Sequence, residues 1–426
     1  MPVMLAVLGG AGDLALKKLV DQLDRLLARH GEIEVRLADV VPADELARRW
    51  VTCRGTPLPD AWSERYRAVE RAPGSQWLEA ELSAVGAGHG VEWEDWHVIV
   101  YLALAPRLYL SSMLAYAALG ATGCKLTFAI EKPLALSHDD LNQLCASVRA
   151  FDENVRVFAV DHYLGKWAVL FASEKREDKV IGRLLTRFNR ATLQALESGG
   201  VPRDRLPFYS EVGCFSDVFP HLASCLVALS EHLVGDRHDG GLVWNGHLGR
   251  VRDLDLSRET YFCLQFDDHH GDDGAPCRVA LRSGKSTGKD LTQIRFEVDG
   301  DGSAPRSADA GGLTPEAALS VLECHLRTPP AVTLKLPGFS LSSATPESPN
   351  VDDPYLVVFE RLLAGTPLGL SFAEQERVVR RMLDIAGSAA FIHKQSNPVL
   401  YAPGDAPPCA CVASSGAGVQ SGDGVG

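Results

Sequence analysis

The chain has 426 residues, 46% of them hydrophobic, with 42 Lys and Arg against 55 Asp and Glu and a net charge of -13. That length exceeds what a single core usually holds, so two globular domains are expected. The acidic balance excludes a nucleic-acid partner held by bulk electrostatics, while a local basic pocket for a small phosphate remains compatible with it.

In chain order, VMLAVL at 3–8, IEVRLA at 33–38, HVIVYLAL at 97–104, LTFAI at 126–130 and VRVFAV at 155–160 are short apolar runs, with helix-like segments such as 14–29 and 107–120 between them. Strands alternating with helices predict a Rossmann-type, doubly wound parallel sheet over residues 1–160. The pattern then changes. LLTRFNRATL, LVWNGHL, YFCLQF, RVALRS, QIRFEVDG and AVTLKL crowd together between 184 and 336, which predicts a second, α+β domain over 161–401 with a large, mostly antiparallel sheet. Helices at 354–364 and around 372–394 are expected to pack on that sheet. The Gly, Ser, Ala and Pro of 402–426 predict a disordered tail. The first apolar run is too short to span a membrane. The ten cysteines lack paired or metal-site spacing, so reduced thiols, a cytoplasmic location and no metal are expected.

After the first strand, Gly9, Gly10 and Gly12 precede a helix with Ala15 at its third small position. Glycines there let the backbone turn tightly and approach a pyrophosphate, whose charge the helix N-terminus stabilises. Asp13 follows them as a first-turn acid. Asp39, at the tip of the second strand, is where a carboxylate accepts hydrogen bonds from an unphosphorylated ribose, so NAD is preferred. Arg36, Arg48 and Arg49 keep NADP open as an alternative.

Three further stretches, YLALAPRLY at 101–109, IEKPLALS at 130–137 and VDHYLGK at 160–166, together with GGAGDLA at 9–15, resemble the glucose-6-phosphate dehydrogenase family. RSGK at 282–285 and DPYLVVFERLLAG at 353–365 extend the resemblance to about residues 4–401. It implies a cofactor site made by Gly9, Gly10, Gly12, Asp13, Leu14, Asp39, Pro106 and Lys132. It also implies a sugar-phosphate site made by His162, Tyr163, Lys166, Asp217 and Lys285. His162 and Lys166, four apart, are expected on one face of a helix begun by DHYLGK. In GCFSDVFPHLASCL, 213–226, the resemblance makes His221 the base for a sugar hydroxyl, a role suited to the pKa of histidine. Asp161 is expected to hydrogen-bond that histidine, and Lys132 to touch both nicotinamide and sugar.

The departures are specific. Asp217 and His221 are four apart where the family has five, Ser216 replaces an arginine and Pro220 an asparagine, so the helix is expected to kink or restart at Pro220. The family's acid in FKEP has no counterpart at 187–193, and Asp290 stands where a basic residue is usual. The DxxxH spacing and the wording EKPLALS are similar to the Gfo/Idh/MocA oxidoreductases. The expected activity is NAD(P)-dependent oxidation of a sugar 6-phosphate, glucose 6-phosphate or a close relative, at C1 to the lactone. The alternative is oxidation of another hydroxyl of a sugar or amino-sugar phosphate. A homodimer or homotetramer is expected by resemblance.

Overall fold

The computed structural model describes residues 1–69, 76–89, 92, 95–121, 123–202, 205–234, 244–252, 254, 256–269, 276–299, 319–327, 330–337, 339–344 and 353–405. The chain divides into two compact units, Met1–Leu170 with Glu347–Asp384 and Phe171–Pro346 with Ile385–Gly426. From 406 onward the tail expected to be disordered lies outside the described residues.

Among the described residues of the first unit, β1 (Val3–Leu8), β2 (Ile33–Asp39), β3 (Tyr66–Ala68), β4 (His97–Leu102), β5 (Lys125–Ile130) and β6 (Val155–Ala159) form one sheet in the order β3-β2-β1-β4-β5-β6. All its pairings are parallel. Every residue of β4 is buried, as a strand covered on both faces requires, which is why HVIVYL reads as an unbroken apolar run. The strand order reverses between β1 and β4. At such a point the helices that follow neighbouring strands leave on opposite sides, so a crevice opens beyond the carboxyl ends.

In the second unit, nine strands among the described residues form a mixed sheet. They are β7 (Arg190–Leu196), β8 (Asn245–Val251), β9 (Tyr261–His269), β10 (Pro276–Gly284), β11 (Leu291–Val298), β12 (Ser320–His325), β13 (Ala331–Leu336), β14 (Phe339–Ala344) and β15 (Val399–Tyr401). Their order is β14-β13-β12-β11-β7-β10-β9-β8-β15. Only the β7–β10 and β8–β15 pairs are parallel among these. The helix Gly213–Ser230 packs on β7, β9 and β10. It is long and apolar enough to cross a membrane by length and composition, and most of it is buried within the protein.

The fold class read from the sequence is therefore borne out, with local differences. LLTRF at 184–188 was expected to open a strand, but Lys179–Thr186 is a helix whose N-cap Asp178 accepts from the amides of Val180 and Ile181. That side-chain cap satisfies helix-start donors before strand pairing begins at Arg190. The helix Pro354–Leu363 belongs to the first unit instead of packing on the second sheet as expected. There the Phe359 ring lies 5.5 Å from Tyr101 of β4, and Glu360 pairs with Arg29 and His30. The region 372–394 is two helices, Phe372–Gly387 and Ala389–Ser396, because Ser388 caps the second through the Phe391 amide, and the first of them, up to Asp384, belongs to the first unit instead of the second as expected. Finally, Cys263 of β9 is disulfide-bonded, contrary to the expectation of reduced cysteines, while Cys53, Cys124, Cys145, Cys214, Cys225, Cys277 and Cys324 keep reduced thiols.

Candidate functional site

The glycine turn lies at the carboxyl end of β1. Gly9 adopts φ +83°, and a Cβ there would sit 2.3 Å from the Ala103 carbonyl oxygen beyond β4. Only glycine meets both constraints. The amides of Gly9 and Gly10 donate to the Ala38 carbonyl at 2.9 and 3.0 Å, which ties the turn to the end of β2. Asp39, the last residue of β2, accepts from the Ala11 amide at 3.0 Å, so its carboxylate stands beside the turn. Asp13 pairs with Lys17 one helical turn on, at 2.9 Å, and is half-exposed. Its charge is answered locally by a lysine. Leu14 precedes the first helical segment, Ala15–Leu19, which continues as Val20–Arg29.

The arginines that could have answered a 2′-phosphate are engaged elsewhere. Arg36 is nearly buried between Glu34 and Glu81, at 2.9 and 2.7 Å. Arg48 and Arg49 pair with Asp44 and Glu45 on their own helix, Ala43–Arg54.

At the carboxyl ends of β4 and β5 lie Pro106 and Lys132. Pro106 starts a short 3-10 turn and, with Tyr109, Leu134 and Leu144, lines a cavity of about 280 Å³. The Lys132–Pro133 peptide bond is cis. Lys132 Nζ lies 2.7 Å from Asp161 Oδ2, and both side chains are fully buried. In such surroundings each ion depends on the other, because removing one leaves an unpaired buried charge. The Glu131 carboxylate accepts from the Tyr101 hydroxyl. Burial, reinforced by that carboxylate, pushes the Tyr101 phenol well above its ordinary range and keeps it a donor.

DHYLGK is not the start of a helix. The amides of Leu164, Gly165 and Lys166 donate to the carbonyls of Asp161, His162 and Tyr163 at 3.0, 3.2 and 3.2 Å, giving successive three-residue turns. The helix begins only at Trp167. Asp161 Oδ1 accepts from the Tyr163 amide at 3.0 Å, and Gly165 passes so close to Pro354 that a Cβ would sit 2.8 Å from its carbonyl oxygen. Three residues per turn superpose positions three apart, not four. Accordingly Lys166 Nζ sits over the Tyr163 ring at 5.0 Å, while His162 stacks on Tyr355 with centroids 4.8 Å apart. Tyr355, in the quoted DPYLVVFERLLAG, was not singled out as a site residue.

In the second unit Asp217 and His221 lie one turn apart on Gly213–Ser230, so the four-residue spacing puts them on one face. The helix continues through Pro220 without the expected restart. Asp217 Oδ2 accepts from the Tyr209 hydroxyl at 2.9 Å, and Lys285 Nζ lies 5.7 Å above the Tyr209 ring. Lys285 also meets an acid not foreseen in the sequence, Glu197, at 2.6 Å. The register explains this contact: in the parallel β7–β10 pair Leu196 is level with Gly284, so the next residues, Glu197 and Lys285, emerge side by side. The stretch 187–193 carries no acid, but β7 is followed by one just past its end. Asp290 accepts from the Ser198 amide and hydroxyl at 3.0 and 2.5 Å and from Arg327 at 2.7 Å, which holds its carboxyl below the usual range. It braces the loop after β7.

Residues 69–170 match the family model described as glucose-6-phosphate dehydrogenase, NAD binding domain. Glucose-6-phosphate 1-dehydrogenase of Helicobacter pylori is 27% identical over 146 residues, covering 33% of this chain and 34% of that enzyme, so the chain matches about a third of that relative's length. A solved glucose-6-phosphate dehydrogenase in complex with glucose 6-phosphate superposes with a TM-score of 0.70 at 15% identity, covering 95% of each chain. KijD10, a 3-ketoreductase from Actinomadura kijaniata, superposes with a TM-score of 0.56 at 12% identity, covering 94% of this chain and 99% of that one. The structural likenesses share the two-sheet fold, and the resemblance to the glucose-6-phosphate dehydrogenase family is borne out over the stretch that holds EKP and DHYLGK.

Proposed function

We propose that this protein is an NAD(P)-dependent sugar-phosphate dehydrogenase, with NAD preferred, that oxidises glucose 6-phosphate or a close relative at C1 to the lactone. The observation that carries the reading is the glycine turn at the β1–β4 reversal, with Lys132 and its buried partner Asp161 at the end of the neighbouring strand β5. A nicotinamide dinucleotide suits these residues: Gly9, Gly10, Gly12 and Leu14 would receive the pyrophosphate, Asp39 the ribose, and Pro106 and Lys132 the nicotinamide end. When bound, it supplies the hydride acceptor. NAD preference is supported by the Asp39 carboxylate beside the turn and by the acid partners of Arg36, Arg48 and Arg49.

By family resemblance His162, Tyr163 and Lys166 would be donors to a phosphate, with the cation of Lys166 steadied over the Tyr163 ring. By the same resemblance Asp217 would be a hydroxyl acceptor and Lys285 a further cation. Glu197 joins this set as a second acceptor for sugar hydroxyls, taking the role of the acid that was read as missing. His221 would take the proton of the hydroxyl being oxidised. Asp161 would stabilise the charged imidazole, by family resemblance.

A second reading, oxidation at another ring carbon, is favoured by the DxxxH spacing on Gly213–Ser230 and by the likeness to a 3-ketoreductase. Incubation with a panel of sugar phosphates and NAD or NADP, followed at the absorbance of the reduced nicotinamide and by product analysis, separates the two. Formation of an aldonolactone supports the first reading, and a ring ketone overturns it. A homodimer or homotetramer is the assembly expected by resemblance, to be read by light scattering.

A further inference from the structure

The helix that carries Asp217 and His221 begins abruptly. Gly213 has φ +75°, and a Cβ there would lie 2.4 Å from Oε1 of Glu259, a residue only 2% exposed. The first free donors of a helix need acceptors, and here one residue supplies two. The Glu259 carbonyl accepts from the Cys214 amide at 3.0 Å, and its Oε1 accepts from the Phe215 amide at 3.0 Å. Oε2 accepts from Gln395 at 2.8 Å. Burial raises the Glu259 carboxyl above its ordinary range, against which the Gln395 side chain and the Phe215 amide act.

The next residue does the same for a different segment. The Thr260 carbonyl accepts from the Lys285 amide at 3.0 Å. The Lys285 carbonyl accepts from Tyr401 at 2.7 Å, and Tyr401 lies 2.9 Å from the Thr260 hydroxyl. Thr260 is fully buried and also holds the Val251 amide at 2.9 Å. Two adjacent residues, joined by one planar peptide, thus grip the helix bearing Asp217 and His221 on one side and the backbone of Lys285 on the other.

We propose that Glu259 and Thr260 form a positioning brace that sets Lys285 relative to the helix of Asp217 and His221. Its consequence for turnover rests on the dehydrogenase reading above; the mechanical coupling does not. Neither residue touches substrate in this proposal. Their effect is exerted through the side chains they hold, and a shift of about 1 Å in such groups costs on the order of 100-fold in rate.

The experiment is hydrogen exchange by mass spectrometry on the full chain, combined with steady-state kinetics, for Glu259→Leu and Glu259→Gln. Glutamine keeps an oxygen for the Phe215 amide; leucine keeps none. With Glu259→Leu, exchange is expected to rise in peptides covering both 213–219 and 284–288. Turnover of glucose 6-phosphate should fall by roughly 10- to 100-fold with a higher KM for the sugar and an unchanged KM for the nucleotide. Glu259→Gln should restore both. Should Glu259→Leu not fold, Gln395→Leu, which removes only the donor to Oε2, tests the same coupling with a smaller change. Faster exchange at 213–219 with none at 284–288, or equal kinetics for leucine and glutamine, overturns the brace. If the unmutated protein oxidises no sugar phosphate, the functional reading fails, and the exchange pattern alone decides the brace.

Discussion

In the first unit the side chains of chemical interest stand at the ends of parallel strands, whereas in the second they stand on a helix and on loops beyond paired strands. Lys132 follows β5 directly and is closed into a dry pair with Asp161. Lys285 follows β10 directly but is shared among Glu197, the ring of Tyr209 and a backbone grip from Thr260 and Tyr401. The difference has a physical origin. Parallel strands deliver their carboxyl ends to one edge, so a site there needs only residues adjacent in sequence to each strand. A mixed sheet delivers alternate ends to opposite edges, so its site is completed by register and by a helix laid across it.

The comparison is tested hardest by removing one member of each arrangement. His221→Asn is expected to lower turnover by at least about 100-fold while sugar-phosphate binding, read by calorimetry, survives. Activity that persists would move the base elsewhere. Lys132→Ala is expected to cost stability as well as activity, about 3–5 kcal/mol, because it strands the Asp161 carboxylate. Lys285→Ala, with a partner that is 40% exposed, should cost far less stability. Denaturant melts of the two variants give the answer, and equal losses would erase the contrast between the dry and the shared lysine.

A smaller effect is expected from Asp39→Ala. It should weaken NAD by about tenfold and leave NADP little changed, as measured by nucleotide titration; equal losses would show that Asp39 does not read the ribose. Smaller still is a pH effect from His97, buried on β4 against the Thr127 hydroxyl at 2.9 Å. Burial, with Lys125 and Arg156 nearby, lowers its pKa from 6.5 to about 4. The unfolded chain therefore takes up a proton that the folded one refuses, so the stability this residue contributes is full above pH 6.5 and is lost as pH falls toward about 4. Thermal melts from pH 7 to 4 should show this decline, and His97→Gln should flatten part of it. An unchanged slope would locate the acid sensitivity in other groups.

Much of the first unit was legible because its signals are local. β1, β2, β4, β5 and β6 announce themselves as apolar runs, and the glycines mark their own turn. β3 escaped because three residues carry no period. In the second unit LLTRF read as a strand although Asp178 caps it into a helix, and Glu197 was overlooked because only the pairing of β7 with β10 brings it to Lys285.

By itself, then, the sequence determined the two-part architecture, the glycine turn with Asp39 at the next strand's end, and the family resemblance carried by EKP and DHYLGK. These depend on residues within a few positions of one another, where steric and periodic rules act directly. Only the tertiary structure decided that Asp161 closes on Lys132, that DHYLGK winds in three-residue turns, that Pro354–Leu363 joins the first unit and that Glu259 caps the helix of His221. Apart from the local turns of DHYLGK, where Gly165 passes against Pro354, those contacts join residues distant along the chain. They follow from burial, register and the need of buried polar groups for partners, none of which any short stretch of sequence contains.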